Sequence, residues 1–80
     1  MFLEIITPSK KVFSGEVNLA KVPGKSGSFE ILENHAPIIA TLEEGQVKVI
    51  DKNKKVSYYD VSSGVVEVKN NKIVVLIESA

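Results

Sequence analysis

Histidine is the side chain that most readily takes up and releases protons near neutral pH, and the sequence contains one, His35. Glu33 lies nearby, but the Gly-x-Ser-x-Gly motif that positions a serine nucleophile does not occur, and there is no cysteine to supply a thiolate or a cysteine-based zinc site. We therefore predict no catalytic residue, no metal and no cofactor. The His35 ring is expected to tie its loop to backbone carbonyls or to a partner, and catalysis, metal ligation and pH sensing are the alternatives.

A second candidate for chemistry is the pair Gly24 and Gly27, which enclose Lys25 and Ser26. A phosphate-binding loop ends in Gly-Lys-Ser or Gly-Lys-Thr and leads into a helix whose N-terminus faces the phosphate. Neither feature follows here. The sequence therefore predicts no nucleotide, and in particular no ATP, at this loop.

The charged residues are balanced in number, and every basic residue is a lysine. The planar fork with which arginine binds phosphate and guanine is missing, so we predict no nucleic-acid partner. Lys52, Lys54 and Lys55 cluster at a predicted turn, where a solvated hairpin tip is expected and contact with an anionic surface is the alternative.

These glycines and the histidine belong to one segment of constrained backbone, Val22–Pro37, which holds two of the three prolines and two of the five glycines. Gly24 and Gly27 can take positive φ without steric cost, the prolines fix φ, and Asn34 tolerates left-handed geometry. Nothing in the segment indicates a reaction. We predict that it forms a rigid docking edge for a partner.

Short runs of β-branched residues, separated by turn signals about every ten residues, surround this segment. They predict an all-β fold: a single domain over residues 1–80, built as a flattened sandwich or barrel of eight to ten short, mostly antiparallel strands. Gly15 is expected to mark a bulge or a bend, and Asn70-Asn71 to form the tight turn of a hairpin. The predicted strands are 2–7, 12–22, 29–32, 38–42, 46–50, 56–61, 65–69 and 73–77.

The last predicted strand is apolar on both faces, from Ile73 to Ile77. Either it is a central strand with extra cover or it contributes to a docking surface. The run is too short to span a bilayer, and Met1-Phe2-Leu3-Glu4 does not begin a secretory leader. We expect a cytoplasmic location.

One alternative function starts from a lysine. Asp51-Lys52 at the predicted hairpin tip resembles the turn in which lipoyl and biotinyl carrier domains present a modified lysine. Here the tip continues with Asn53-Lys54-Lys55, without the small or apolar neighbour that those families place after the lysine. A carrier domain modified at Lys52 is the alternative reading.

The constrained segment and its surroundings contain a longer motif. Its residues are Val22-Pro23-Gly24, Gly27-x-Phe29-x-Ile31-Leu32, His35-Ala36-Pro37-Ile38-Ile39, Leu42 and Gly45-x-Val47-x-Val49. Further matches are Ile6-Thr7-Pro8, Phe13-Ser14-Gly15-Glu16-Val17 and Ser62-Ser63-Gly64-Val65-Val66-Glu67-Val68. This order resembles the epsilon subunit of F-type ATP synthases over nearly the whole chain. The resemblance implies the N-terminal β-sandwich domain of that subunit.

Two features depart from the pattern. Glu30 stands where many members have a second glycine, and the sequence stops at Glu78-Ser79-Ala80, where most members continue into two C-terminal helices. The inhibitory extension and the ATP-sensing site that those helices carry in some members are therefore not expected in this sequence.

The resemblance implies a non-catalytic central-stalk subunit that couples proton or sodium flow to ATP synthesis. It implies a peripheral position on the cytoplasmic face of a bacterial cell membrane, held only through the complex. The positions that match gamma-contacting residues are Thr7, His35, Ala36, Pro37 and Ala40. The positions that match the contact with the c subunits of the rotor ring are Gly27, Ser28, Phe29 and Glu30.

Overall fold

The structure, a computed structural model, describes residues 1–78 of the chain. The described residues form eight strands and no helix, which confirms the predicted all-β class and the lower end of the predicted strand number. Residues 79 and 80, the end of the predicted domain, lie outside the described part. The strands are β1 (Phe2–Ile6), β2 (Lys11–Val22), β3 (Phe29–Leu32), β4 (Ile38–Leu42), β5 (Gly45–Asp51), β6 (Val56–Val61), β7 (Gly64–Lys69) and β8 (Lys72–Ile77).

The strands make two layers that share β2. The order β4-β7-β8-β1 continues into the first half of β2, and the second half of β2 pairs with β3 and β5, which in turn pairs with β6. We call these the first and the second layer. Every strand pair is antiparallel except β1 with β8, which is parallel, so the predicted mostly antiparallel sandwich is confirmed.

The bend that carries β2 from one layer to the other does not lie at Gly15, and the predicted bulge there is wrong. Gly15 pairs regularly with Leu3 of β1. The register shifts instead around Val12 and Asn18. At the second shift the regular β2–β5 hydrogen bonding is interrupted, and the Asn18 side chain supplies a replacement: its Nδ2 donates to the Asp51 carbonyl oxygen at 3.2 Å.

The core is formed by residues that alternate along each strand, as the period of two in a β-strand requires. In β7 every second residue is buried, and all buried residues of both layers join one cluster. β8 lies between β7 and β1 and is therefore a central strand. Leu76 on its outer face stays 47% exposed, so the extra cover expected for a central strand is not found among residues 1–78. No residue with a polar or charged side chain is buried among residues 1–78, so the side chains of the described interior are apolar.

Both predicted hairpins of the second half of the chain are present. β5 pairs with β6, and β7 pairs with β8 through the turn Asn70-Asn71. The two asparagines have φ of 52° and 59°, which is the left-handed pair that a tight hairpin turn needs.

Candidate functional site

The glycine loop between β2 and β3 is closed by a backbone hydrogen bond from Gly27 N to Gly24 O of 2.9 Å. Gly27 uses its conformational freedom and has φ of 128°. Gly24 does not use it, since Gly27 is the one glycine with positive φ among the described residues. Gly24 is required for space instead: a Cβ there would lie 2.6 Å from Gly27 O and 3.0 Å from the Phe29 ring.

This loop is fixed to the body of the domain by β4 and the turn after it. Lys25 N donates to Thr41 O at 2.9 Å, and Glu43 N donates to Pro23 O at 2.9 Å. These two hydrogen bonds form an isolated antiparallel bridge between Gly24 and Leu42. Because they hold its backbone, the loop is positioned by the end of β4.

The four residues that match ring contacts divide into two groups. Gly27, Ser28 and Glu30 are exposed, whereas Phe29 is half-buried and packs against the core. Glu30 lies in β3 opposite Lys21, so its side chain points to solvent without crowding the backbone. The structure therefore leaves three of the four side-chain positions available to a partner.

The loop between β3 and β4 presents His35, which is half-buried, and Ala36 and Pro37, which are exposed. His35 N donates to Leu32 O at 3.2 Å, and Asn34 has φ of 61°. The ring Nδ1 lies 2.7 Å from Ala36 O, so the predicted tie to a backbone carbonyl is present. A carbonyl only accepts, so Nδ1 carries the proton in this contact and Nε2 of a neutral ring remains as an acceptor.

Glu33, at the start of the same loop, contacts the chain's N-terminus, the β7–β8 turn and the β5–β6 turn. Its Oε2 accepts from Asn71 Nδ2 at 3.0 Å, and its Oε1 lies 3.1 Å from Lys52 Nζ and also contacts the Met1 ammonium. Hydrogen bonds from the Met1 ammonium, the Asn71 amide and Lys52 lower the pKa of Glu33 to about 2. The carboxylate is thus ionised at neutral pH and holds the loop electrostatically.

Lys52, the residue of the alternative carrier function, is half of that ion pair with Glu33. The rest of its turn is organised by Asp51, whose Oδ1 accepts from the backbone N–H of Asn53 at 2.8 Å and of Lys55 at 2.9 Å. Attachment of an acyl group to Lys52 would remove the charge that pairs with Glu33.

Thr7 closes the turn after β1. Its Oγ1 accepts from the backbone N–H of Ser9 and Lys10 at 3.3 and 3.1 Å, and its own N–H donates to Lys10 O at 2.8 Å. The turn lies at the end of the first layer where β1 stops, whereas His35 lies at the opposite end, where β4 starts. The positions that match gamma contacts are therefore spread along the layer.

Among the positions that match gamma contacts, Ala40 is the one whose side chain does not lie on the outer surface. It pairs with the fully buried Val66 and shares its side of the sheet, so its half-buried methyl group faces inward. Its neighbours Ile39 and Thr41 point outward. Ala40 instead helps to line a hollow of about 620 Å³ that also includes Gly27 and Ser28.

The outer face of the first layer carries a surface that our sequence reasoning did not identify residue by residue. Ile39 of β4 is 72% exposed, and Val65 of β7 and Leu76 of β8 are 37% and 47% exposed. Val65 lies opposite Thr41 on one side and Leu76 on the other, and Leu76 lies opposite Ile6. We call Ile6, Ile39, Val65 and Leu76 the apolar patch.

The patch continues to Thr7 through an open groove of about 470 Å³ that Ile6, Pro8, Val65 and Leu76 help to line. At the other end of the same face, Glu4 pairs with Lys11 at 3.1 Å and with Lys72 at 3.3 Å. The sequence did contain a signal for the patch, because strands 38–42 and 73–77 are apolar at positions that face opposite ways.

Among residues 1–78, no group of three or more His, Asp or Glu side chains is arranged to bind a metal ion. Within the same part of the chain, no helix is suited to crossing a membrane. The features that the structure brings to the surface are loops with fixed backbones and an apolar face.

Comparison with known proteins agrees with this arrangement. Residues 1–80 match the family described as ATP synthase, Delta/Epsilon chain, beta-sandwich domain. The ATP synthase epsilon chain of Chlorobaculum tepidum is 38% identical over 76 residues, which are 95% of this chain and 86% of that relative. The epsilon chain of Desulforamulus reducens is 42% identical over 78 residues, but these are only 58% of that relative.

Solved structures show the same fold. A chain of the Euglena gracilis mitochondrial ATP synthase OSCP/F1/c-ring superposes with a TM-score of 0.89 at 18% identity, over 96% of this chain and 49% of that one. A chain of the Tetrahymena thermophila mitochondrial ATP synthase central stalk/c-ring gives a TM-score of 0.81 at 18% identity, over 98% and 63%. The present chain thus spans about half of the first of these chains. Its full-length family match and its epsilon-chain relatives show that it belongs to the beta-sandwich domain family of ATP synthase Delta and Epsilon chains.

Proposed function

We propose that the chain is a non-catalytic central-stalk subunit of a proton- or sodium-translocating F-type ATP synthase, which docks on the gamma subunit and on the rotor ring. The observation that carries this proposal is the apolar patch, which lies on a stable sheet between the Thr7 turn and the His35 loop. Family membership supports the assembly, and the patch supports a protein partner for this face.

The patch suits a lasting contact because its apolar side chains are held on four hydrogen-bonded strands, β4, β7, β8 and β1, and a fixed surface loses little entropy on binding. Fully burying an Ile or Leu side chain contributes about 1.5–3 kcal/mol. Ile39, the most exposed of the large apolar residues described, has the most to gain from such a contact. We assign the patch, together with Thr7, His35, Ala36 and Pro37, to gamma.

The glycine loop suits the second contact. Its exposed residues Gly27 and Ser28 sit on a turn whose backbone is fixed by Thr41, and the adjacent Glu30 adds a negative charge. We assign Gly27, Ser28 and Glu30 to the ring, with Phe29 as the buried support beneath them. Ala40, matched to gamma by resemblance, lies next to this loop, so we assign it a supporting role in the hollow.

A rotor subunit needs a rigid body and contacts that do not slip, and neither requires a group that exchanges protons. The apolar interior and the fixed loops meet this need. Attachment to the ring would place the chain peripherally on the cytoplasmic face of a bacterial membrane. We expect no ATP hydrolysis by the chain alone.

Site-directed cross-linking tests the assignment, and the absence of native cysteine makes single-cysteine variants straightforward. Ile39→Cys carrying a photo-cross-linker should join gamma in the assembled enzyme, and Ser28→Cys should join a c subunit. Tyr58→Cys, an exposed position in β6 of the second layer, is the control and should join neither at a comparable yield. Equal yields from all three positions, or cross-links to other proteins only, would refute the assignment.

A further inference from the structure

We propose that Asn71 is a positioning residue for the gamma contact. It fixes the His35 loop to the first layer, so that the loop keeps a constant position relative to the apolar patch. The inference rests on the proposed function for its partner. Its structural basis is the pair of contacts that join Asn71 to residues 33 and 34.

The two ends of the Asn71 amide contact the loop in complementary ways. The Oδ1 atom accepts from Asn34 N at 2.8 Å, and the Nδ2 group donates to Glu33 Oε2 at 3.0 Å. The Asn71 carbonyl oxygen also accepts from Phe2 N at 3.2 Å. One residue therefore connects the β7–β8 turn, the His35 loop and β1.

The turn itself does not require this side chain. A tight hairpin turn needs positive φ at both central positions, which Asn70 and Asn71 supply alike, and glycine or aspartate also supplies it. Among the described residues, the Asn70 side chain is exposed and makes no hydrogen bond, whereas Asn71 is half-buried against the loop. The two neighbours share a backbone role and differ in their contact with the loop.

The loop needs such a support because it crosses between layers. It begins after β3 in the second layer and ends at β4 in the first, and its internal backbone bond is the one from His35 N to Leu32 O. Lys52 holds Glu33 from the second layer, and the Met1 ammonium holds it from the first. Asn71 adds a second first-layer contact to Glu33 and is the residue that also holds Asn34. The Asn71 contacts thus set the position of His35 relative to the patch, whose strands β7 and β8 carry Asn71 at their turn.

The hydrogen bond between Asn71 and Glu33 can be broken by one substitution and restored by a second, with few atoms changed. Asn71→Asp keeps the size and the acceptor for Asn34 N, but it replaces the donor with a carboxylate facing that of Glu33. Adding Glu33→Gln supplies a donor from the other side and returns the net charge to that of the original pair. Asn70→Asp introduces the same charge in the same turn and is the matched control.

Two measurements on the folded 80-residue chain and these variants test the role: amide hydrogen exchange at Asn34, and the Kd for the purified gamma subunit. We expect Asn71→Asp to raise exchange at Asn34 at least tenfold and to weaken gamma binding about tenfold. Asn70→Asp should change both by less than about threefold. The Asn71→Asp/Glu33→Gln double variant should return both to within about threefold of the original chain.

The outcomes separate the two proposals. Unchanged exchange in Asn71→Asp would show that Asn71 does not hold the loop. Faster exchange with unchanged gamma affinity would show that the loop is held but not for gamma. If the original chain fails to bind gamma while exchange responds as expected, the proposed function is refuted and the positioning role for gamma is lost with it.

Discussion

Val65 of β7 lies directly opposite Leu76 of β8, and both side chains stay partly exposed on the outer face of the first layer. Cross-strand apolar pairs stabilise a sheet, but a sheet facing only water has no need for a row that continues from Thr41 through this pair to Ile6. The row indicates that this face is covered in the working assembly. Ile39 lies opposite Glu67, two residues before Thr41 on the edge strand β4, and as the most exposed residue of the patch it offers the clearest test.

Ile39→Ser should weaken binding to gamma at least tenfold and leave the free energy of unfolding nearly unchanged, because the side chain is already largely in water in the free chain. Titration calorimetry with purified gamma measures the first effect and urea unfolding the second. Val56→Ser is the control, since Val56 is an exposed β-branched residue on β6, the edge strand of the second layer. If Val56→Ser weakened gamma binding more than Ile39→Ser did, gamma would bind the second layer and the proposed contact would be wrong.

Gly24→Ala should destabilise the fold by about 1–3 kcal/mol, because the new Cβ would lie 2.6 Å from Gly27 O, a backbone atom of the closed loop. Gly15→Ala should be neutral or slightly stabilising, since the closest atom to its Cβ would be a Phe13 ring carbon at 3.5 Å and strand interiors disfavour glycine. Urea unfolding of both variants measures the difference. Equal effects would mean that the loop is not tightly closed.

The contribution of Glu33 to stability should depend on pH. Its pKa is lowered in the folded chain from an ordinary value of 4.5 to about 2, so the ionised form favours folding above about pH 4.5. That contribution is lost as the pH falls through about 2. The difference in unfolding free energy between the original chain and Glu33→Gln should therefore be constant above about pH 5 and shrink towards pH 2.

Glu44→Gln, at the exposed turn before β5, removes the same charge outside this network and is the control. A difference for Glu33→Gln that grew on acidification would contradict the ion-pair network around this carboxylate.

The strands were largely predictable from the sequence because each carries its own alternation or apolar run, and Asn70-Asn71 carries its turn chemistry. Contacts between residues that are far apart in the sequence could not be predicted in this way. The parallel pairing of β1 with β8 joins the two ends of the chain, and the contact of Asn71 with Glu33 spans 38 positions. The conformational freedom of Gly24 was evident from its type, whereas its need for space follows from how closely Gly27 O and the Phe29 ring approach it.

Lys52 should be unmodified in the protein from its native source. Its ammonium pairs with Glu33, and the next residues of its turn are held by Asp51, so the arrangement gives the lysine a structural contact. Intact mass spectrometry measures this directly. A lipoyl or biotinyl adduct on Lys52 would favour the carrier function over the stalk function.

The most direct test of the central claim is co-purification from native membranes through a tag on the chain, followed by identification of the proteins retained. We predict recovery of gamma and the c subunits together with the catalytic subunits, and loss of gamma when Ile39→Ser and His35→Ala are combined. Recovery of an assembled enzyme in which another protein occupies the contact with gamma and the ring, while this chain runs free, would contradict the account.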